Sequence, residues 1–429
     1  MNLLLSLLVT LVFLGTEILA VPTPAFQLSP YRIINVLMWA VTIYKIHQGD
    51  RRLRLDVKNP SIVIIGVYLF WWIWAIVSLT WAMNIANWMR AIFLLTIGIS
   101  AMVFIYLWTY DISHWKQLVK NIWLAMLILV VWGYWEILTN HYLLANLSKL
   151  DKYGTFSSDP LSRIPVTVFE NQNDFATMLI AYLSLTFIMI QWGKRRTEKL
   201  TYYICFLAGV YLIYRCQSRM TLLSMILLII IKWLLNYHLD VKKPVLFKWT
   251  MIVTIAMIFL SVLIEPIRDK LSSIIYLGYG PDLSGDAVRL NLWRNGFEFL
   301  GQSFGFGVGA GNIEFWMASF GSLPTEDIVN MHNWWLEILV AYGLPVFLSY
   351  TIAYFYMIYV LYKSRPHLSE EEGVINDSLI TFLIVYIFAS ITSANNILIE
   401  WHWIFFGLII VYIKLIWQKI SQKRNEEIS

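Results

Sequence analysis

The sequence predicts an all-α, polytopic membrane protein that forms a single integral membrane domain over residues 1–429, with about twelve transmembrane helices. Two observations lead to this fold class. First, 59% of the residues are hydrophobic and only 14% are charged, whereas soluble proteins average roughly 45–50% and 25%. Second, the apolar residues fall in repeated runs near the length of about 20 residues that a helix needs to cross a bilayer. This composition excludes a soluble enzyme, a disordered protein and a nucleic-acid-binding module.

Twelve apolar runs predict the individual helices. The first run lacks a basic segment before it and a small-residue cleavage site after it, so we interpret it as a helix and not as a signal peptide. The runs cover roughly 3–21, 30–46, 61–81, 88–109, 119–139, 174–192, 200–216, 220–236, 249–266, 333–362, 377–394 and 401–418.

The distribution of Lys and Arg between these runs predicts the orientation. The short connections 22–29, 82–87 and 395–400 contain neither residue, whereas the clusters at 51–54 and 194–196 lie in alternate connections. Positive residues collect on the cytoplasmic side of membrane proteins. We therefore expect both termini in the cytoplasm.

Two long segments then lie on the outer side, where a scaffold usually carries its function. The first covers 140–173. The second covers 267–332, between helices 9 and 10, and we expect it to carry part of the active site. Within it, apolar residues recur every three or four positions from Leu290 to Leu300 and predict a short helix. Glycines follow between 301 and 311 and predict a loop.

Three arginines on this outer side are candidates for binding an anion. Arg219 stands between two apolar runs, where a charged residue is costly and usually functional; the alternative is that it reaches lipid phosphates. Arg289 and Arg294 lie on the predicted short helix. Arginine binds phosphate with two parallel hydrogen bonds. Arg294 has a second interpretation, an ion pair with Glu298 four residues later.

His332 and a cluster of asparagines complete the candidate site. His332 stands at the outer start of a long apolar run and is suited to act as a general base near neutral pH, the alternative being an ordinary interface residue. Asn171 and Asn173 precede another run, and a helix N-cap accounts for one of them. The glycines at 305–309 lack the Lys-Ser/Thr pair of a nucleotide-binding loop. The sequence therefore predicts no nucleotide, no metal site and no cofactor.

Together these motifs resemble the O-antigen ligase and polysaccharide polymerase superfamily. The last motif is a His-Asn pair followed after nine residues by a glycine, which is Gly343 here. Lipopolysaccharide ligases often continue from this glycine as Gly-x-x-Gly-Thr-Trp, and this continuation is absent after Gly343. This departure favours a polymerase. The matching elements are the Asn-x-Asn segment in FENQNDFA (169–176), Arg219 with Leu223, Arg289 with Leu292-Trp293, the glycine-rich GFGVGAGN (305–312), and His332-Asn333 followed after nine residues by Gly343.

The resemblance implies a GT-C-like membrane glycosyltransferase with an undecaprenyl-pyrophosphate-linked glycan as donor. Arg219 and Arg289 would neutralise the pyrophosphate leaving group without a metal. His332 would take or orient the proton of the acceptor hydroxyl, with inversion at the anomeric carbon. The remaining residues expected to bind substrate are Asn171, Asn173, Arg294 and Asn333. The acceptor would be a glycan or a lipid-linked glycan, and the expected partners are membrane lipids, a flippase and a chain-length regulator.

Three functions stay open at this point. A polymerase would join lipid-linked repeat units into a capsule, an exopolysaccharide, a teichuronic acid or an O-antigen. A ligase would move the finished glycan to a different acceptor. A flippase or other transporter of lipid-linked sugar would be expected to hold ionisable groups near the membrane midplane. The candidate charges lie instead at the outer boundary, which favours chemistry there.

Overall fold

The computed structural model describes residues 1–15, 18–22, 27–49, 56–151, 154–169, 171–240, 285–391 and 399–428, and these are predominantly helical. The predicted helix at 249–266, residues 267–284 of the larger predicted loop and the arginines at 51–54 lie outside the described residues. The helices are α1 (Asn2–Leu11), α2 (Pro30–His47), α3 (Pro60–Val77), α4 (Ile85–Trp108), α5 (Ile112–Thr139), α6 (Leu147–Leu150), α7 (Gln172–Trp192), α8 (Arg196–Arg215), α9 (Arg219–Asp240), α10 (Gly285–Gln302), α11 (Ile313–Phe320), α12 (Trp334–Ser364), α13 (Glu370–Ala389) and α14 (Trp401–Ile428).

Seven spans in the described part of the chain are long and apolar enough to cross a membrane. They coincide with predicted runs and support the all-α polytopic class, while the total of twelve stays a prediction. Helices α2, α8 and α9 also coincide with predicted runs. The seven spans are Pro60–Thr80, Ile85–Trp108, Ile112–Thr139, Gln172–Trp192, Trp334–His367, Glu370–Ala389 and Trp401–Glu426.

The first predicted run is shorter as a helix than the sequence suggests. Helix α1 ends at Leu11, and a 3-10 turn follows over Val12–Leu14. Gly15 then adopts φ +76° and ψ −172°, a conformation that essentially only glycine reaches. A short antiparallel hairpin, β1 (Val21–Pro22) with β2 (Gln27–Leu28), leads to α2. Hydrophobicity continues past Gly15, but the backbone conformation there ends the helix.

Helix α13 lies between α7, α9 and α12. The Ser184 hydroxyl on α7 donates to the Ser378 carbonyl oxygen at 2.8 Å, and nearer the start of α7 the Thr177 hydroxyl donates to the Ala389 carbonyl oxygen at 3.2 Å. The two contacts show that α7 and α13 are antiparallel. Because two short connections separate α7 from α9, α9 also runs antiparallel to α13.

Two lysines within the helices donate hydrogen bonds to groups on neighbouring helices. The Lys232 ammonium on α9 donates to the Val374 carbonyl oxygen and the Ser378 hydroxyl, each at 2.9 Å. Lys414 on α14 donates to the carbonyl oxygens of Tyr106 at 2.7 Å and Thr109 at 3.0 Å. A charge taken out of water is tolerated when such partners replace the water. These lysines connect neighbouring helices, a structural role that the sequence did not reveal.

Helix α12 is broken at Gly343, where φ is +76° and ψ is −176°. The Leu344 N–H, which a continuous helix would direct to Val340, donates instead to the Gly305 carbonyl oxygen at 2.8 Å. Pro345 has no N–H to offer Ala341. The break therefore leaves two carbonyl groups of α12 without their usual helical partners.

The glycine-rich segment supplies the missing partners. Val308 N–H donates to the Val340 carbonyl oxygen and Gly309 N–H to the Ala341 carbonyl oxygen, both at 2.9 Å. A Cβ at Gly307 would lie 2.5 Å from the Gly343 nitrogen, so the two backbones meet directly. We call this contact between residues 305–309 and 340–344 the glycine seam. Several of its N–H groups are used within the protein, which explains a glycine-rich sequence without a nucleotide-binding role.

The other side of the glycine-rich segment is held by the connection between α3 and α4. The Ser78 hydroxyl accepts from Ala310 N–H at 3.0 Å, and the Trp81 indole donates to the Gly307 carbonyl oxygen at 2.9 Å. The Asn312 side-chain oxygen accepts from the backbone N–H of Asn84 at 2.7 Å. The seam is therefore fixed from two directions.

Gly343→Ala is expected to destabilise the protein by about 3 kcal/mol or more, because the added Cβ meets both an unfavourable backbone conformation and the atoms of the seam. Thermal unfolding of the full-length protein in detergent measures the effect. Gly66→Ala on α3 is the matched control, since a Cβ there meets open space. Equal unfolding midpoints for the two variants would contradict the importance of the seam.

Candidate active site

His332 lies at the turn immediately before α12 and is half-buried. Its φ of +47° places the backbone in the left-handed region. The Nδ1 atom has no hydrogen-bond partner among the described residues. Burial and, second, the positive charge of Arg289 lower the pKa of His332 to about 4. The imidazole is therefore neutral at pH 7, and its buried Nδ1 atom can form a further hydrogen bond.

Helix α10 presents Arg289 toward His332. The Trp293 indole, about one turn after Arg289 and on the same face, donates to the Met331 carbonyl oxygen at 3.2 Å. Gly296, further along α10, leaves room for Met331, since a Cβ at Gly296 would lie 2.6 Å from the Met331 Cε atom. These contacts hold the segment before α12 against α10. They explain why the charge of Arg289 acts on His332.

Asn333 caps the start of α12. Its side-chain oxygen accepts from the N–H groups of Trp335 at 3.0 Å and Leu336 at 3.3 Å. The next residue, Trp334, donates its backbone N–H to the Ser390 carbonyl oxygen at 3.1 Å, at the end of α13. The side-chain oxygen of Asn333 already accepts two hydrogen bonds at the helix start. The predicted role of Asn333 in substrate binding therefore depends on its side-chain amide nitrogen.

Asn171 caps α7 in the same way. Its side-chain oxygen accepts from the N–H groups of Asn173 at 2.9 Å and Asp174 at 3.1 Å. Its amide nitrogen donates to the Asp174 carboxylate at 2.6 Å. Because Thr177 bonds to Ala389, the start of α7 lies beside the end of α13 that also receives the start of α12. Asn173 is half-buried in this first turn.

Arg219 is the exposed first residue of α9. The Lys232 contact fixes the register of α9 against Val374 and Ser378 of the antiparallel α13. Arg219 precedes Lys232 by about 20 Å of helix. This distance brings Arg219 level with Ala389 at the end of α13. It therefore stands at the same end of the bundle as the starts of α7 and α12.

Arg294 is half-buried on α10, between two asparagines that fix this helix. The Asn291 amide donates to the Pro324 carbonyl oxygen at 2.9 Å. Asn295 exchanges two hydrogen bonds with the backbone of Leu323, each 3.0 Å long. Both asparagines are fully buried. The sequence analysis missed them, because their partners are backbone groups about 30 residues away.

The predicted outer loop at 140–173 is attached to the end of α5 by a buried carboxylate. Glu136 is fully buried. Its Oε2 atom accepts from the N–H groups of Val166 at 2.9 Å and Thr167 at 3.0 Å, and its Oε1 atom also accepts from the Thr167 N–H at 3.1 Å. An unpaired carboxylate would be costly here, so the loop backbone must stay in place around it.

Two arginines complete the attachment of this loop. The Arg163 guanidinium donates to the carbonyl oxygens of Ile137 at 3.1 Å and Leu138 at 3.0 Å, at the end of α5. Arg215, the last residue of α8, donates to the carbonyl oxygens of Pro160 at 2.8 Å and Arg163 at 2.7 Å. The loop is thus part of the scaffold beside Arg219, four residues after Arg215. The sequence signal that could have pointed to Arg215 was its position at the end of an apolar run, where a charged residue is uncommon.

An aromatic layer lies beneath the start of α12. The Trp334 ring meets the His402 ring edge-on, with centroids 4.6 Å apart. The Trp334 indole donates to the Tyr350 hydroxyl at 2.9 Å. Trp71 and Trp403 close the layer, and all five side chains are buried. This packing supports the turn that carries His332, and it gives His402 a structural place that the sequence analysis did not assign.

The predicted site residues thus gather at one end of the helix bundle, where a mobile anionic group would meet cations and a neutral imidazole. Arg289 is close enough to His332 for its charge to lower the pKa of the imidazole. The positions of the other residues follow from where their helices begin and from the register of α9 against α13. Their roles in catalysis and binding stay predictions. The set is His332, Arg289, Arg219, Asn171, Asn173, Asn333 and Arg294.

Comparison with known proteins bears on this arrangement. Residues 203–351 match the O-antigen ligase family. The chain is also 28% identical to the teichuronic acid biosynthesis protein TuaE of Bacillus subtilis (strain 168), over 96% of this chain and 83% of that protein. The predicted superfamily resemblance is confirmed.

The matched region runs from α8 through the seam and into the second half of α12. It contains Arg219, Arg289 and His332, which the motifs had singled out, together with the seam glycines. The family and the apolar helices support a multi-pass membrane protein. They also suggest a cell-surface polysaccharide polymerase or ligase, with a lipid-linked glycan as donor.

His332 is expected to stay reactive toward diethyl pyrocarbonate at pH 5, because this reagent modifies the neutral imidazole and an unperturbed histidine with a pKa of about 6.5 is mostly charged there. Peptide mass spectrometry measures the labelling rate against pH. Arg289→Gln should move the midpoint upward but keep it below 6.5, since burial is the larger cause. Arg289→Lys, which keeps the charge, is the control. A midpoint near 6.5 in the wild-type protein would refute the assignment.

Arg215→Gln is expected to loosen the outer loop, because hydrogen bonds from a charged group, here two to carbonyl oxygens of the loop, are each worth about 1.5–3 kcal/mol. Trypsin should then cleave after Arg163 several times faster than in the wild type. Arg196→Gln, at the exposed other end of α8, removes the same charge without touching the loop. Equal cleavage in both variants would contradict the anchoring role.

Proposed function

We propose that this protein is a polymerase that joins undecaprenyl-pyrophosphate-linked repeat units into a cell-surface polysaccharide, at the outer face of the cytoplasmic membrane. The observation that carries the proposal is the neutral His332 beside the cationic Arg289, inside the region that matches the O-antigen ligase family. Such a transfer needs two groups: a cation that stabilises the leaving group, and a neutral base that takes the proton of the attacking hydroxyl.

The donor's leaving group explains the cations. Breaking the bond between the anomeric carbon and the pyrophosphate oxygen develops negative charge on that oxygen. Arg219 and Arg289 stabilise this charge with fixed guanidinium groups, the kind of electrostatic contribution that is often largest in catalysis. The donor is already activated, so the reaction requires neither a nucleotide nor a metal ion. Arg294 holds the second phosphate or the first sugar.

The acceptor side involves His332. The acceptor hydroxyl donates its hydrogen bond to an imidazole nitrogen of His332 and attacks the anomeric carbon from the face opposite the pyrophosphate. The new bond from oxygen to carbon forms as the bond to pyrophosphate breaks, with inversion, and the hydroxyl proton passes to His332. A bound pyrophosphate offsets the positive charge of Arg289. Because that charge lowers the pKa of His332, binding of the pyrophosphate raises this pKa and makes His332 a stronger base. Asn171, Asn173 and Asn333 hold sugar hydroxyls around this point.

The relative in Bacillus subtilis supports one polysaccharide class. Its name refers to teichuronic acid biosynthesis, so among capsule, exopolysaccharide, teichuronic acid and O-antigen we propose a teichuronic acid type. The acceptor would be a second lipid-linked chain. A flippase that delivers the donor and a regulator of chain length are the expected partners.

Transfer to a different acceptor, as a ligase performs it, is the second candidate. The match of residues 203–351 to the O-antigen ligase family favours it. The Gly343-Leu344-Pro345 sequence favours the polymerase, because the ligase-type ending is absent. The two functions differ only in the acceptor, which makes them separable by experiment.

The test uses full-length protein in nanodiscs with a lipid-pyrophosphate-linked repeat unit, no nucleotide sugar, and a chelator. Released undecaprenyl pyrophosphate and glycan mass are followed. We expect a ladder of longer glycans, and a fall of at least ~100-fold in His332→Ala, Arg219→Ala and Arg289→Ala. His367→Ala and Arg196→Ala, exposed residues at the opposite end of the bundle, are the controls.

The outcomes separate the alternatives. Release that requires a second, unrelated acceptor supports the ligase. Loss of activity in the chelator contradicts the metal-independent mechanism. Wild-type rates of undecaprenyl pyrophosphate release in all three site variants would contradict the assignment of the site. No release by protein with an intact unfolding transition, but movement of the lipid-linked sugar across the membrane, supports the transporter.

A further inference from the structure

A cavity of about 490 Å³ lies between three helices at the opposite end of the bundle from His332. Its walls come from the start of α3, the last turns of α12 and the last turns of α14. Because α12 has 31 residues, the cavity is roughly 40 Å from the candidate active site. It therefore belongs to a different surface of the protein.

Several basic side chains line this cavity. Among the residues that the structure describes, Lys58, Lys363, His367 and Arg424 are in the lining, and no Asp or Glu is. They come from three separate parts of the chain, so the fold and not a local sequence motif brings them together. The Lys363 ammonium lies 5.9 Å from the centre of the Tyr359 ring, which also lines the cavity.

Other basic residues at this end of the bundle are paired with carboxylates. Lys116 pairs with Glu371 at 2.6 Å, and Arg365 with Asp377 at 2.8 Å. Lys419, one turn before Arg424 on α14, pairs with Glu372. The basic residues that line the cavity are not members of these pairs. Several positive charges, with no carboxylate among the described lining residues, suit an anion.

Apolar and aromatic side chains also line the cavity. Val63, Val360 and Ile420 line it together with the rings of Tyr356 and Trp417. These residues belong to helices that are long and apolar enough to cross the membrane. The cavity thus combines basic side chains with apolar surface that hydrocarbon chains can cover.

We propose that this cavity binds the phosphoryl group of a glycerophosphate ester. Basic pockets between membrane helices recognise phosphate headgroups, and the apolar wall accommodates the acyl chains of an anionic phospholipid. A soluble glycerol phosphate carries the same phosphoryl chemistry without the chains. The inference is independent of the function proposed for the other end of the bundle.

The test is native mass spectrometry of full-length protein in a neutral detergent. Dioleoylphosphatidylglycerol and dioleoylphosphatidylcholine are titrated separately, and glycerol 3-phosphate is added as a competitor. Wild type should bind the anionic lipid more tightly than the zwitterionic one. The triple variant Lys58→Gln, Lys363→Gln, Arg424→Gln should weaken binding of the anionic lipid roughly 100-fold.

A matched control removes two lysines and one arginine from another exposed surface at the same end: Lys194→Gln, Lys199→Gln, Arg196→Gln. It should bind within twofold of wild type, and thermal unfolding checks that both variants fold. Displacement of the lipid by glycerol 3-phosphate at similar affinity, lost in the cavity variant, supports the phosphoryl site with a soluble source. Equal affinity for both lipids, or equal losses in the two variants, overturns the proposal.

Discussion

The backbone-to-backbone contact of the glycine seam is the constraint on which the rest of this structure depends. A break in a membrane helix exposes peptide groups that lipid cannot satisfy. Here the break at Gly343 is satisfied by the segment that follows α10, through Val308 and Gly309. One contact therefore sets the direction of the first half of α12 and holds α10 beside it. Arg289 and His332 lie on those two elements, so their proximity follows from the seam.

The electrostatics of the site follow from the same placement. A histidine beside an arginine and partly out of water favours its neutral form, so the protein keeps a cation and an uncharged hydrogen-bonding group side by side. The first suits a phosphate and the second suits a hydroxyl. At the other end of the bundle, carboxylates such as Glu371 and Glu372 pair with lysines. The two ends of the bundle thus use basic residues in different ways.

The sequence predicted the helices well where hydrophobicity decides the structure, and less well where backbone conformation does. The run at 3–21 shows the difference, because Gly15 ends a helix that apolar composition would continue. For the site, the motifs pointed to Arg289 and His332, which the fold brings together. The roles of Glu136 and Arg215 were out of reach, since each holds a distant loop through backbone groups, which the sequence does not reveal.

The seam consists of main-chain atoms, and this has a consequence for how such a protein can diverge. Hydrogen bonds between peptide groups are indifferent to the side chains that surround them, provided that the glycines remain. Under the proposed function, other residues of α10 and of the loops can therefore change, and with them the sugars that are accepted, while the seam keeps Arg289 and His332 in position. A scaffold of this kind separates the evolution of substrate choice from the preservation of the chemical step.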